Sequence, residues 1–340
     1  MRFSVCIIGV QLGILPWAEA QIPAVPPVAA TSRLPKIVVT PTGMEADAFD
    51  VPFVVEYLDA ADLQNRRLAR TLIDSLKELP AVMLQKTAHG QGSPFVRGFT
   101  GFRTLMLVDG IRLNNSTFRD GPNQYWNTID SFSIRRLELV KGPASVLYGS
   151  DAIGGTVNAL TLQRESFSQP SAVNGRVYYR YSSAEHSQLA RGELSANAGP
   201  HLGASAGFSE KRFGDLRTGG SNGVQPHTGY GERARDVKLE YVLSPKARVV
   251  AAYQTLNQND AWRTHRTLFG QSWRGTSVGT DRKLALDQFR DLAYVQYHHT
   301  ALGGAVDAVH VSVSHQRQEE REAVSYTHLR AHETKANLVC

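Results

Sequence analysis

Two stretches of this chain gather side chains that hold ligands. Lys86 to Ser93 offers Lys86, His89 and Gln91; Asn114 to Asn127 offers Asn115, Arg119, Asp120, Gln124, Tyr125 and Trp126. An imidazole, amides, a guanidinium and aromatic faces are groups that bind. Groups that break bonds in concert are harder to find. No nucleophile-elbow, metal-helix or phosphate-loop spacing occurs in the sequence. Gly90-x-Gly92 and Gly98-x-x-Gly101 are too loose for a dinucleotide loop. His298 and His299 are adjacent on a strand-like run, so their rings point to opposite faces and share no metal. The residues therefore read as a binding protein, not an enzyme, with no resident metal or cofactor.

The first ligand-type stretch and its neighbours belong to a compact α+β unit, from about 48 to 165. Val51 to Tyr57 is a strand-like opening. Leu68, Leu72, Leu76 and Leu79 have helical spacing, which predicts a helix over Asp62 to Leu79. Thr71 with Asp74 forms a helix-starting box, and Pro80 ends the run. Ala81 to Gln85 follows as a strand. Asp109-Gly110 between two apolar runs is a hairpin signal. Leu137 and Leu139 then alternate with Glu138 and Val140 until Gly142-Pro143 stops the strand. Ala144 to Tyr148 suits one helical turn closed by Gly149, and Gly154-Gly155 permits a bend before a last strand.

The second half, 172–324, changes character. Seven strand-like runs appear, near 175–184, 189–198, 202–212, 236–243, 247–255, 290–299 and 306–316. Val237, Leu239 and Tyr241 oppose Lys238 and Glu240; Val309, Val311 and Val313 oppose His310, Ser312 and Ser314. Leu202, Ala204, Ala206 and Phe208 alternate with Gly203, Ser205 and Ser209 in the same way. Connections at Gly199-Pro200-His201, Ser244-Pro245-Lys246 and Gly303-Gly304 are short, whereas 213–235 and 256–289 are long and polar. Apolar-out strands with short turns at one end and long loops at the other are the pattern of a membrane β-barrel. A soluble sandwich has no reason to alternate its connections.

Composition agrees. The chain has 340 residues, 42% of them hydrophobic, and a mean hydropathy of -0.27, too polar for a helical membrane protein. A barrel hides its membrane character in alternation. Residues 1–20 read as a secretory signal: basic Met1-Arg2, an apolar run from Phe3 to Leu15, and Ala18-Glu19-Ala20 before the cut. The two cysteines are Cys6, inside that signal, and Cys340, so no internal disulfide staples the fold. The net charge of +6 is spread along strands with interleaved acids, and no zinc pattern or basic helix points to nucleic acid. Residues 21–47 form a Pro- and Ala-rich flexible segment containing the β-branched run Ile37-Val38-Val39-Thr40, suited to strand addition on a partner's sheet edge.

The run from Ile134 to Asn158, with Lys141-Gly142-Pro143, Tyr148-Gly149 and Gly154-Gly155, resembles the closing stretch of the plug in TonB-dependent outer-membrane receptors. Leu79-Pro80-Ala81-Val82, Val96-Arg97-Gly98-Phe99 and Leu107-Val108-Asp109-Gly110 follow the same family's order. The resemblance implies a plug followed by an antiparallel transmembrane barrel in the outer membrane of a Gram-negative bacterium, and active uptake of a scarce nutrient. It makes Ile37, Val38, Val39 and Thr40 a TonB box, the segment that pairs with the energy-coupling protein TonB. It turns the two ligand-type stretches outward, so that His89, Gln91, Arg119, Gln124, Tyr125 and Trp126 meet the substrate. Haem or a ferric siderophore leads as that substrate, with cobalamin as the alternative. Arg97, Arg103, Arg112, Arg135 and Arg136 are expected to contact the barrel wall. A surface receptor that binds or signals without transport is the rival reading; the TonB box speaks against it. A plugged transporter needs about 22 strands, so seven imply an unclosed, N-terminal part of a longer protein, with 325–340 a non-native tail.

Overall fold

The computed structural model describes residues 37–38, 46–47, 51–114, 125–162, 172–220, 223–272, 274–300, 302 and 306–326. The signal, Val39, Thr40, Arg119, Gln124, the Gly303-Gly304 link and the tail beyond 326 lie outside them. One short pairing comes first in chain order: β1 (Ile37–Val38) meets β2 (Ala46–Asp47) antiparallel.

The plug is built on a five-stranded mixed sheet. β3 (Val54–Asp59) flanks β8 (Ile134–Lys141), which pairs with β9 (Gly155–Thr161); β9 runs parallel to β6 (Thr104–Val108), and β7 (Ile111–Arg112) closes the far edge. Beside it stands a hairpin of β4 (Val82–Ala88) and β5 (Gln91–Val96). The Asp109-Gly110 turn joins β6 to β7 with φ of 49° and 80° at its two central residues, the conformation that matches strand twist. The helical turn Ser145–Tyr148 ends at Gly149, as expected. A Cβ on Gly154 would stand 2.4 Å from the Phe99 Cβ and 2.9 Å from the Val96 carbonyl, so only glycine lets the last plug strand approach β5.

The helix expected over Asp62 to Leu79 is not continuous. Asp62–Arg66 is one π-type turn and Ile73–Glu78 a 3-10 helix, with Leu68 at φ 48° between them. Long-range bonds explain the break. Arg180 of the wall donates to the Ala69 carbonyl at 3.2 Å, and Arg70 reaches Glu185. A carbonyl taken by the wall is lost to a helix. Of the expected apolar stripe, Leu72, Leu76 and Leu79 are buried, whereas Leu68, at the break, is half-buried. The box survives: the Thr71 amide donates to Asp74 at 3.2 Å, and the Asp74 amide donates to Thr71 Oγ1 at 3.3 Å.

The second half is one antiparallel meander of seven strands. These are β10 (Val173–Ser182), β11 (Ser187–Ala198), β12 (Leu202–Phe213), β15 (Tyr230–Ser244), β16 (Ala247–Trp262), β17 (Asp281–Thr300) and β18 (Ala308–Tyr326). A minor pair, β13 (Leu216–Arg217) and β14 (Val224–Gln225), decorates the loop after β12. The long loops are shorter than the sequence indicates, because β15 already begins at Tyr230, β16 runs on to Trp262 and β17 begins at Asp281. Val237, Leu239 and Tyr241 face outward, 46–48% exposed, while Lys238 and Glu240 are buried toward the plug. Among the described residues β10 and β18 each have one sheet neighbour, so the wall is open at both edges. The plug core of Leu58, Ile73, Met106, Leu137 and Val157 runs directly into Val250, Ala252, Leu292 and Tyr294 of the wall.

Candidate functional site: the interface of plug and wall

The wall's inner face is polar because its alternation sends charged and amide side chains inward. Most of those groups meet the plug in one direction, the wall donating and the plug accepting; Arg70 to Glu185 and His89 to the Thr228 carbonyl run the other way. Arg176 donates to Gln64 Oε1 at 2.9 Å and Tyr178 to the Gln64 carbonyl at 2.9 Å. Gln258 donates to the Gly90 carbonyl at 3.0 Å, Arg290 to the Thr128 carbonyl at 2.7 Å, and Gln318 to the Leu113 carbonyl at 3.1 Å.

Two plug aspartates anchor this interface. Asp130 sits in a turn that caps itself, its Oδ1 accepting the Phe132 amide at 3.0 Å. The wall brings Lys211 to 2.8 Å, Ser209 to 2.6 Å and Arg191 to 3.4 Å. Arg191 also forks onto Asp236 at 2.8 and 3.1 Å, and Lys211 reaches Glu232 at 2.5 Å. Burial pushes the Asp130 carboxyl up, but the Lys211 and Arg191 charges win and hold it at about 2. Asp109 is the second anchor. It accepts Tyr294 Oη at 2.6 Å and the Thr161 amide and hydroxyl at 2.9 and 2.7 Å, with the Lys238 ammonium at 3.7 Å.

The β4–β5 tip forms the third contact. His89 is packed between the edges of Phe213 and Tyr230, with its side chain 2% exposed. Its Nδ1–H donates to the Thr228 carbonyl at 2.8 Å, which leaves Nε2 facing Glu185 at 3.9 Å. Burial, then the Arg70 and Lys86 charges, push the imidazole down to about 4. Gly90 lies so close to Tyr230 that a Cβ would stand 2.8 Å from its ring. Below the tip, a cleft of about 640 Å³ opens between plug and wall. It is lined by Arg67, Arg70, Lys77, Lys86 and Arg180 against Asp74 and Glu185, so its charge is positive.

The sequence-derived residues fall as follows. His89, Gln91 and Trp126 are buried rather than on open loops, with Trp126 1% exposed and Gln91 accepting from Arg263 at 3.4 Å. His89 and Gln91 face the interface because the wall strands rise past the hairpin, while Trp126 packs into the apolar core. Tyr125 begins a 3-10 turn ending at Asn127. Of the plug arginines, Arg112 turns inward to the plug, holding Asp151 at 2.7 Å and the Ser150 carbonyl at 2.5 Å. Arg136 lies over Tyr57 and 3.9 Å from Glu138, both within the plug; Arg135 is half-buried, and Arg97 and Arg103 are exposed. Most of the cations seen to touch across the interface, beside the plug's Arg70 on Glu185, come from the wall, namely Arg176, Arg180, Arg191, Lys211, Lys238 and Arg290. Their signal was the polar half of each strand's alternation, which gives the inward face but not the partner.

Known proteins resemble the chain along its length. Residues 47–156 match the family model of the TonB-dependent receptor plug domain. A hemin receptor of Yersinia pestis is 30% identical over 231 residues, 66% of this chain and 31% of its own length. The vitamin B12 transporter BtuB of Vibrio vulnificus is 30% identical over 210 residues, 59% of this chain and 32% of its own. The fold matches that of the hemophore receptor HasR of Serratia marcescens with a TM-score of 0.64 at 19% identity, over 82% of this chain and 39% of that one. The chain thus spans about a third of the length of these curated relatives. With its plug sheet, its plug-family match and its apolar-out strands, the chain belongs to the TonB-dependent receptors of the Gram-negative outer membrane.

Proposed function

We propose that the chain is the coupling and entry portion of a receptor for active uptake of an iron compound, haem or a ferric siderophore. The observation that carries this is the plug's seating. Around an apolar contact with Val250, Ala252, Leu292 and Tyr294 it is held by hydrogen bonds and ion pairs, and such polar contacts exchange with water without large net cost. A plug so held can be displaced by a pull and can return. The pull enters at Ile37, Val38, Val39 and Thr40. The first two already make a strand pairing with Ala46 and Asp47, only two residues long. So short a pairing is weak, and the edge of TonB's sheet offers a longer one.

The cationic cleft beside the hairpin supports an anionic cargo, as a ferric chelate or a haem propionate is. Relatives named as a hemin receptor and as an iron-regulated outer membrane virulence protein of Vibrio cholerae, 30% identical over 266 residues, support iron as well. A relative named as a vitamin B12 transporter supports cobalamin as the second reading. Transport names among the relatives also support a non-enzymatic role. His89, Gln91, Arg119, Gln124, Tyr125 and Trp126 are the proposed cargo contacts. For His89, Gln91 and Trp126 this requires the hairpin tip to lift from Thr228 and Tyr230. The experiment is growth of a receptor-deletion strain on hemin, a ferric siderophore or cobalamin as the limiting nutrient. Loss on one iron source, reproduced by loss of TonB, is the expected result. Unchanged growth on all three overturns the reading.

A further inference from the structure

The adjacent His298 and His299 point to opposite faces of β17, but the fold gives His298 a different companion. Leu292, Tyr294 and Gln296 precede it at two-residue steps and are all buried, so His298 continues the inner row. The register sets His310 of β18 directly across from it. The two rings stand 4.2 Å apart, centroid to centroid, with their planes 18° from parallel. One step up the same row, Gln296 reaches Ser312 at 3.4 Å and donates to the plug's Asp109 carbonyl at 2.9 Å. The pair therefore lies on the inner face, one row nearer the short-turn mouth of the wall than this contact with the plug. His298 is half-buried and His310 exposed, so both can be reached from solvent.

Elsewhere in the chain a histidine settles a ring nitrogen on an oxygen: His89 on Thr228, His186 on Tyr181, His201 on Val242 and His299 on Tyr297. Among the described residues neither His298 nor His310 has such a partner; each has the other's ring. Two imidazoles on facing residues of neighbouring strands are the two arms of a chelate. Facing residues hold their Cβ atoms about 4.5–5.5 Å apart, and a cation bonded to both rings at about 2.0–2.1 Å needs nitrogens about 3 Å apart. From a 4.2 Å stack that takes only small rotations of the two side chains. Imidazole suits zinc, nickel and copper. Arg248 of β16, opposite His298, brings a positive charge to the row, and among the described residues no third His, Cys, Asp or Glu joins the pair. The row therefore favours an ion bonded through nitrogen over a hard ion that needs oxygen ligands. We infer that His298 and His310 chelate a divalent cation of the zinc, nickel or copper class, with water in its remaining positions. The ion bridges β17 to β18 beside the seated plug, apart from the cargo contacts proposed at His89.

The test titrates the full chain in a neutral detergent with zinc ions, read by calorimetry, and with copper(II) ions, read by electron paramagnetic resonance. One site should show two imidazole nitrogens on copper. His298→Gln and His310→Gln should each weaken that site at least about tenfold, since losing one ring removes the chelate. His299→Gln, on the opposite face, should leave it unchanged. Calcium ions should not compete, and acid should release the metal, since the neutral imidazole is the ligand. A second measurement needs no variant. Zinc should shield His298 and His310 from diethyl pyrocarbonate, mapped by mass spectrometry, and leave the labelling of His299 as it was. Equal affinity in the parent and both Gln variants overturns the site. So does a copper spectrum with a single nitrogen, or labelling of the pair that zinc does not change. None of these readouts depends on which nutrient is carried.

Discussion

Replacing Asp130 with Asn should loosen the plug from its wall at one defined place. The side chain keeps its shape and loses its charge. In the native interface the carboxylate is 4% exposed and accepts from Lys211, Ser209 and the Phe132 amide at 2.8, 2.6 and 3.0 Å. Removing one partner of a buried pair costs about 3–5 kcal/mol when the other charge is stranded. Here it is not stranded, since Lys211 keeps Glu232 and Arg191 keeps Asp236. The loss is then nearer that of charged hydrogen bonds, about 2–3 kcal/mol. Acid titration gives a similar figure. Asp130 falls from 3.8 to about 2 on folding, a difference on the order of 2 kcal/mol. The group's folded value is depressed, so this stability is fully present above 3.8 and is lost as pH falls through about 2. The assay is amide exchange across 127–134 in the detergent-solubilised chain at neutral pH. Opening should become roughly 30- to 150-fold more frequent, at about 1.4 kcal/mol per tenfold. Asp151→Asn, which disturbs only contacts inside the plug, with Arg112 and Asn114, should leave these amides unchanged. If Asp130→Asn changes exchange there less than about twofold, the interface is not held by this carboxylate and the argument fails.

Other outcomes follow from the same geometry. His89 drops from 6.5 to about 4 on folding, so the tip is fully docked above 6.5 and weakens as pH falls toward 4. By pH ~5 the loss is about 2 kcal/mol, read as faster exchange in the β4–β5 hairpin after correction for intrinsic rates; a pH-independent rate refutes it. Val38→Pro in the receptor should abolish uptake while surface binding of cargo survives, because proline removes a backbone donor from strand pairing; normal uptake removes the TonB-box assignment. His89→Ala tests the haem branch: a Soret titration identical to the parent's eliminates His89 as an iron ligand. Residues 49–164 expressed alone should be soluble and folded, and 172–324 alone should aggregate through its open edges; a monomeric, folded 172–324 would argue for a sandwich.

What could be read from the sequence was local. The Asp109-Gly110 turn, the bend at Gly154 and the helical turn before Gly149 each follow from steric rules over a few residues. The outward rows of Val237, Leu239 and Tyr241 follow from period-two alternation. What could not be read depends on partners far apart in sequence. The helix over Asp62 to Leu79 breaks because Arg180 and Glu185 claim Ala69 and Arg70 from more than a hundred residues away. His89 reads as an exposed loop residue until β12 and β15 bring Phe213 and Tyr230 against it. Asp130 carries no motif at all; its place between Thr128 and Ser133 marks a turn, and only the fold supplies Lys211. The plug arginines were the plausible wall contacts by charge alone, yet Arg112 and Arg136 are engaged with the plug itself.

That last reversal bears on how such a plug can move. Had the plug carried the cations, withdrawal would expose wall carboxylates without counter-charges inside a confined lumen, a costly state. The observed direction avoids it except at Glu185, whose partner Arg70 belongs to the plug. Wall cations have wall partners of their own: Arg191 with Asp236 and Glu193, Lys211 with Glu232, Arg176 with Glu193. When the plug leaves, these pairs persist. What the plug takes with it are mostly backbone carbonyls, at Gln64, Ala69, Gly90, Leu113 and Thr128, which water satisfies at once. Asp130, Asp109 and Arg70 leave as charges, each of which water solvates. The resistance to displacement is therefore concentrated at two carboxylates, the Arg70–Glu185 pair, the His89 tip and the apolar contact with Val250, Ala252, Leu292 and Tyr294, while the remaining hydrogen bonds exchange with solvent. A plug held that way stays seated until pulled and reseats by the same contacts.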